Sequence, residues 1–318
     1  MFKIVGCHTD SPVLKLAPVS KLADRAGFHQ LTVQLYGGGL WHTWFDRDLT
    51  LAGKIILQDP STGALSTKYW RCSDAILKVP NLAIHLTDRS GTFDPNKESH
   101  TKPILATSVI DQLFGGSPVE GDSYRCEDKH YRSLLSRIGA DLGVDPNSIT
   151  DFELNVVDTQ PAGLVGLHKE FLSSPRLDNL GSSLVALDAI LETTKDQSAE
   201  VNMIMLFDHE EVGSQSAQGA DSNLAVEATQ RIFEALAPAP AKQSDYFRAI
   251  RQSFLVSADM AHALHPNYQE KHQPSHAPKV HYGIVLKTNA NQRYMTDVVG
   301  STIIRAVAAK AEPAPVPI

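Results

Sequence analysis

The sequence predicts an α/β fold in which a mostly parallel sheet is covered by helices, joined to a mostly β region nearer its start. Three observations carry this. Through roughly the last 150 residues, short apolar strands alternate with amphipathic helices, an order that builds a parallel sheet with helices on its faces. Within that stretch, Val201-Asn202-Met203-Ile204-Met205-Leu206-Phe207 is a mostly apolar run suited to a strand buried on both faces. Up to about residue 90 the texture is different, with period-two alternation broken by turn residues.

The elements follow in order. Phe2-Lys3-Ile4-Val5 is strand-like. Leu31-Thr32-Val33-Gln34-Leu35-Tyr36 alternates apolar and polar residues, the mark of a half-buried strand, and Gly37-Gly38-Gly39 breaks it. Further short strands are expected at Lys54 to Gln58, Thr67 to Cys72 and Leu82 to Leu86, with turns at Asp59-Pro60 and Gly63. A helix is expected from about Ser123 to Leu142, stopped by Gly143. Leu180, Leu184, Leu187 and Leu191 fall at helical spacing before the apolar run. After it Leu224, Ala228, Ile232 and Leu236 do the same, with Asp221 or Ser222 available as N-cap. A strand at Phe254-Leu255-Val256 and a helix from about Thr296 to Lys310 complete the set. The proline-rich Ala311 to Ile318 reads as a tail.

Composition narrows the function. At roughly 150 residues per domain, 318 residues make about two domains. Lys plus Arg is 29 and Asp plus Glu is 36, a formal charge of −7. A mildly acidic chain without a basic block is poorly suited to nucleic acid or an anionic membrane surface. No apolar run approaches the ~18 residues that span a bilayer, and the opening decapeptide lacks the pattern of a signal peptide. Three cysteines, Cys7, Cys72 and Cys126, lie far apart without CxxC spacing, which predicts free thiols and a reducing, cytoplasmic setting.

Three times an apolar strand leads into metal-competent residues: His8-Thr9-Asp10, Asp208-His209-Glu210-Glu211, and Asp259-Met260-Ala261-His262. Sites in open α/β sheets form outside the carboxyl ends of the strands. A fourth acid, Asp178, precedes a helix, where an acid is ordinarily an N-cap. The His-x-Asp pair is more specific, since a ligating histidine commonly has its other ring nitrogen oriented by a carboxylate. One histidine with Asp178, Glu211 and Asp259 suits Zn²⁺, Mn²⁺ or Co²⁺. Two adjacent glutamates allow one to ligate while the other acts as a base. No G-x-S-x-G elbow suggests a covalent serine mechanism.

These segments, with others in the same order, resemble the aspartyl aminopeptidases of metallopeptidase family M18 over nearly the whole chain. The resemblance is carried by His8-Thr9-Asp10-Ser11-Pro12, Tyr36-Gly37-Gly38-Gly39-Leu40-Trp41 through Trp44-Phe45-Asp46-Arg47-Asp48-Leu49, and Leu82-Ala83-Ile84-His85-Leu86. It continues in Asp158-Thr159-Gln160-Pro161, Pro175-Arg176-Leu177-Asp178-Asn179, Glu210-Glu211-Val212-Gly213-Ser214, Ser257-Ala258-Asp259-Met260-Ala261-His262 and Asn291-Gln292-Arg293-Tyr294.

The resemblance implies a metallopeptidase domain, residues 1–12 and 163–318, carrying the sheet, and an inserted β-rich dimerisation domain, residues 13–162. It implies a two-metal zinc enzyme that removes N-terminal Asp or Glu from peptides and self-associates into tetrahedral dodecamers. His8 and Asp259 would bind one metal, Asp178 would bridge to a second, and Glu211 would ligate that second metal. Glu210 would be the general base and Asp10 would orient His8. His85 resembles a histidine that reaches a neighbouring subunit's active site; His262 and Lys287 would touch substrate, Lys287 through the substrate's side-chain carboxylate. Family members extend further at both ends, and a Ser-Met-His-Ser-like segment beyond the last helix carries a final metal-ligating histidine. On that pattern the second metal has only Asp178 and Glu211 here, and the chain by itself is expected to be a weak enzyme. The alternative is a non-catalytic structural subunit of the family; a more distant one is another two-metal hydrolase, such as a deacylase.

Overall fold

The chain enters on β1 (Phe2–His8), whose Phe2, Ile4 and Cys7 are buried, and turns at Thr9 into a run of antiparallel strands. The computed structural model describes residues 1–87, 91–114, 126–193 and 199–311. Two compact units are present, Met1–Ala258 and Asp259–Ile318.

In the first unit β2 (Val13–Lys21), β3 (Phe28–Tyr36), β4 (Leu49–Gln58), β5 (Leu65–Arg71), β6 (Ile104–Thr107) and β7 (Ile149–Asp158) form one six-stranded sheet, ordered β5-β4-β7-β2-β3-β6. Every pairing in it is antiparallel. This corrects the expected mostly parallel sheet: the largest sheet is antiparallel, and among the described residues parallel pairing between named strands involves three of them. For neighbours joined directly, such as β4 and β5, the reason is connection length. The turn after β4 is closed by the Asp59 carboxylate, which accepts from the Ser61 and Thr62 N–H groups, and Gly63 supplies φ 71°. So short a link can only return the chain antiparallel; a parallel neighbour needs a crossover of a dozen or more residues.

One face of this sheet buries Leu14, Leu31, Leu49, Leu51, Ile55, Leu154 and Val156. Against them pack Leu134, Leu135 and Ile138 of a helix at Arg132–Leu142, which Gly143 ends at φ 65°. Each fully buried Leu or Ile contributes about 1.5–3 kcal/mol of transfer free energy. Trp70 Nε1–H donates to Asp141 Oδ2 at 2.9 Å and pins β5 to that helix. The helix expected from about Ser123 is two pieces, Cys126–Lys129 and Arg132–Leu142, and Ser123 itself lies outside the described residues. Leu82 to Leu86 is not a strand. Ile84–Leu86 forms a single 3₁₀ turn, and Leu82, Ile84 and Leu86 stay exposed with no sheet face to pack on.

After a hairpin of β8 (Gly163–Val165) and β9 (Phe171–Ser173), the chain returns to β1. β10 (Val201–Phe207) and β11 (Phe254–Ser257) flank β1 in parallel, in the order β10-β1-β11. Helices at Leu177–Thr193, Leu224–Leu236 and Gln243–Arg251 supply the crossovers. β10 is half-buried rather than buried on both faces, and among the described residues it pairs with β1 alone. Leu224 N–H finds Ser222 Oγ at 3.1 Å, although Asn223 holds the N-cap position.

The second unit has little regular structure before a helix at Val298–Ala308, whose N-terminus is capped by Asp297 Oδ1 accepting from Gly300 N–H at 2.7 Å. The proline-rich tail from residue 312 lies outside the described residues. Cys7, Cys72 and Cys126 are all buried. Among the described residues no helix is long and apolar enough to cross a membrane.

Candidate metal centre

The register of the small sheet builds the site. His8 on β1 pairs with Phe207 on β10, and Thr9 N–H donates to Phe207 O at 2.9 Å. The residues that leave both strands therefore emerge side by side: His8-Thr9-Asp10 from one, Asp208 to Glu211 from the other. β10 ends in a tight reversal, with His209 at φ 62° and Gly213 at φ 103° bracketing a 3₁₀ turn at Glu210–Val212. The helix start at Leu177–Asp178 comes onto the same spot, held by Ser11 Oγ–H donating to Asp178 O at 2.8 Å and Ser183 Oγ–H donating to His8 O at 3.0 Å. Asn179 is buried and donates through Nδ2 to Ala258 O at 2.9 Å.

One nitrogen of His8 and one carboxylate oxygen each of Asp178 and Glu211 lie within 4.8 Å of one another. His8 is buried. Its Nδ1 is 3.1 Å from Asp10 O and 3.3 Å from Asp10 Oδ1. Both are acceptors and favour the tautomer with its proton on Nδ1, the one in which the Nε2 lone pair is left to ligate. Nε2 is 3.3 Å from Asp178 Oδ1 and 3.8 Å from Glu210 Oε2.

Asp10 organises the loop as well as the histidine. Its Oδ1 accepts Glu210 N–H and its Oδ2 accepts Glu211 N–H, each at 3.1 Å, and Tyr36 Oη–H donates to Oδ2 at 2.6 Å. Burial opposes the charge on Asp10, but these donors outweigh it and hold the carboxyl below its usual range. Glu211 has the opposite environment. Burial first, then the charges of Asp178 and Glu210, push its carboxyl up to about 7. Like charges crowded around one imidazole are what a divalent cation neutralises. One nitrogen and two carboxylates also match zinc's three-ligand, one-open-position pattern at catalytic sites. The residues present fit such an ion.

Asp10 and Asp178 also line a cleft of about 820 Å³, together with Tyr36, Lys15, Arg47 and Arg176; His8, Glu210 and Glu211 are not among its lining residues. Its volume is within the usual range of ~300–1,000 Å³ for small-ligand sites. Lys15 pairs with Glu153, and Arg47 with Asp158.

Of the residues singled out in the sequence, His8, Asp10, Asp178, Glu210 and Glu211 come together here. His85 sits on the exposed turn at Ile84–Leu86 and is not among the cleft's lining residues. Asp259, His262 and Lys287 belong to the second unit. There Lys287 Nζ donates to Asp259 Oδ2 at 2.6 Å and to Met260 O at 2.9 Å, and His262 Nδ1 is 3.3 Å from His272 Nε2. The sequence reading gave no role to Tyr36 or Ser183. Tyr36 had a faint signal, as the last residue of an alternating strand before a glycine run.

Comparison with known proteins identifies the family of the chain. The chain is 45% identical over 334 residues to a probable aspartyl aminopeptidase of Ricinus communis, covering 97% of this chain and 67% of the relative. It superposes with a TM-score of 0.88 at 38% identity on the solved Ape4 and Nbr1 complex, covering 96% of this chain and 58% of that one. The S. cerevisiae mApe1 dodecamer matches at TM-score 0.80 and 27% identity, over 96% of this chain and 65% of that one. The chain thus spans about two thirds of the length of the curated relative it matches. With residues 1–318 matching the model of the aminopeptidase I zinc metalloproteases, the chain belongs to the M18 family.

Proposed function

We propose that the chain acts in an aminopeptidase that removes N-terminal Asp or Glu from peptides, with His8, Asp178 and Glu211 holding a zinc ion. The observation that carries this is the set of three donors within 4.8 Å of one another, one of which, Asp178, also lines a cleft of about 820 Å³. When bound, the ion supplies Lewis-acid polarisation of a carbonyl. Glu210 stands beside the three donors with its carboxylate half-exposed to solvent, 3.8 Å from His8 Nε2. Its Oε2 takes a proton from attacking water and returns it to the leaving amine. Asp10 keeps the proton of His8 on Nδ1 and fixes the loop that carries both glutamates. Asp259 as a further ligand, His85, His262 and Lys287 as substrate contacts, and residues 13–162 as a dimerisation domain are parts of the same proposal. Self-association is supported by the exposed apolar residues of this chain and by the dodecamer its relative forms.

The test compares Asp- with Leu-terminated peptides in the presence of Zn²⁺, Mn²⁺ or Co²⁺. Turnover that prefers the acidic terminus is expected. Glu210→Gln should keep its metal and lose about 10²–10⁴ in rate. A Glu210→Gln protein that loses its metal would reverse the roles of the two glutamates. A second reading, a non-catalytic subunit of the family, is favoured by one feature: Lys287 engages Asp259, the expected additional ligand. Metal binding without turnover on either peptide would select it.

A further inference from the structure

We infer that Tyr36 is a positioning residue of the metal centre, its hydroxyl acting through Asp10 on His8 and on the loop carrying Glu210 and Glu211. This rests on the reading of His8, Asp178 and Glu211 as metal ligands. Tyr36 is the last residue of β3, a strand of the antiparallel sheet, whereas the donor atoms come from β1, the loop after β10 and the helix at Leu177–Thr193. Asp10 joins them. It is acceptor-only as a carboxylate, so the phenol in contact at 2.6 Å must be the donor. The Tyr36 phenol stays protonated, since burial and the Asp10 charge both raise its pKa.

The geometry of Asp10 shows what the hydroxyl controls. Oδ2 receives Tyr36 Oη–H and Glu211 N–H, and Oδ1 receives Glu210 N–H while lying 3.3 Å from His8 Nδ1. A carboxylate with donors on both oxygens has one rotation available to it. Without the phenol, Oδ2 keeps only the bond from Glu211, and the carboxylate is freer to rotate away from the imidazole. Its side chain is only 7% exposed, so water has little access to replace the donor.

A second contact from the same strand end points the same way. Gly37 has φ 76°, and a Cβ there would lie 3.1 Å from Glu211 Cβ and 3.4 Å from Glu211 O. The turn after β3 thus runs close enough to a ligand residue that an added methyl group would press on it, beside the hydroxyl that reaches it through Asp10. Tyr36 as mere packing for the cleft wall would need the ring alone, which phenylalanine also supplies.

The experiment measures Zn²⁺ and Mn²⁺ affinity of the full chain by competition with a chromophoric chelator, alongside thermal unfolding. Tyr36→Phe is expected to bind about 10–100-fold more weakly, the usual loss when a partner of a metal-ligating histidine's support is removed. Its unfolding temperature should stay near wild type. In an Asp10→Asn background the same substitution should add little, because the link it breaks is already weakened. Gly37→Ala, which presses a methyl group onto Glu211, should weaken metal binding independently and is the probe to use if Tyr36→Phe does not fold. The exposed Tyr69→Phe serves as control. Unchanged affinity in Tyr36→Phe, or full additivity with Asp10→Asn, overturns the inference while leaving the ligand assignment standing. Wild-type affinity no greater than that of Asp178→Ala overturns the ligand assignment, and the inference with it.

Discussion

His130 shows how a buried titratable side chain away from the site sets a pH limit on the fold. It is almost wholly buried. Its Nδ1 lies 2.8 Å from Ser20 Oγ, its ring packs on Phe152 with centroids 4.0 Å apart, and its Nε2 has no hydrogen-bond partner among the described residues. Burial pushes its pKa from 6.5 down to about 4; the charge of Asp151 opposes that shift and Lys129 adds to it. Between those two values the unfolded chain binds a proton that the native chain declines. Stability therefore rises with pH across this window and is lost as pH falls from about 6.5 towards 4. Urea unfolding midpoints measured across that range should fall less steeply for His130→Asn than for wild type. Equal slopes would show that His130 does not contribute to the acid limb.

At the scale of elements, the pairing of β4 with β7 depends on one residue having no side chain. A Cβ on Gly53 would sit 2.0 Å from Glu153 O and 3.1 Å from Leu154 Cα, both on the backbone of the neighbouring strand. Neither can yield as a side chain would. Gly53→Ala should destabilise by at least the ~1–3 kcal/mol typical of overpacking, read as a lower urea midpoint with an unchanged m-value. A midpoint within error of wild type would mean that the two strands separate more easily than their register suggests. The strands themselves were legible in sequence, because alternation at Leu31 to Tyr36 reports which face is buried. Alternation marks a half-buried strand, as antiparallel sheets commonly have, but it does not report how many strands share one sheet, so the antiparallel sheet's being the larger was not legible. His8, Asp10, Asp178, Glu210 and Glu211 were legible because each follows an apolar strand or opens a helix. Tyr36 was not, since its reach to Asp10 depends on where a distant sheet puts the end of β3.

For the molecule as a whole, metal and stability should be linked, because the three donor residues are far apart in sequence and only the folded chain gathers them. His8, Asp178 and Glu211 come within 4.8 Å through the parallel register of β1 with β10 and the placement of one helix start. An ion that binds the native chain and not the unfolded one stabilises it by RT ln(1 + [L]/Kd), about 2.7 kcal/mol at one hundred times Kd. For domains of roughly 150–250 residues, each kcal/mol moves the midpoint by about 2–4 °C, so a rise of about 5–10 °C is expected. Calorimetry on the unit Met1–Ala258 within the intact chain should show this rise with Zn²⁺ and its reversal with EDTA. Asp178→Ala is the decisive control. The Asp178 side chain is 59% exposed, so its removal takes away a ligand without opening a cavity in the core. In that variant the metal-induced shift should collapse while the metal-free midpoint stays close to wild type. A shift of equal size in Asp178→Ala would place the ion elsewhere on the chain, and the site built from β1, β10 and the helix start would have to be abandoned.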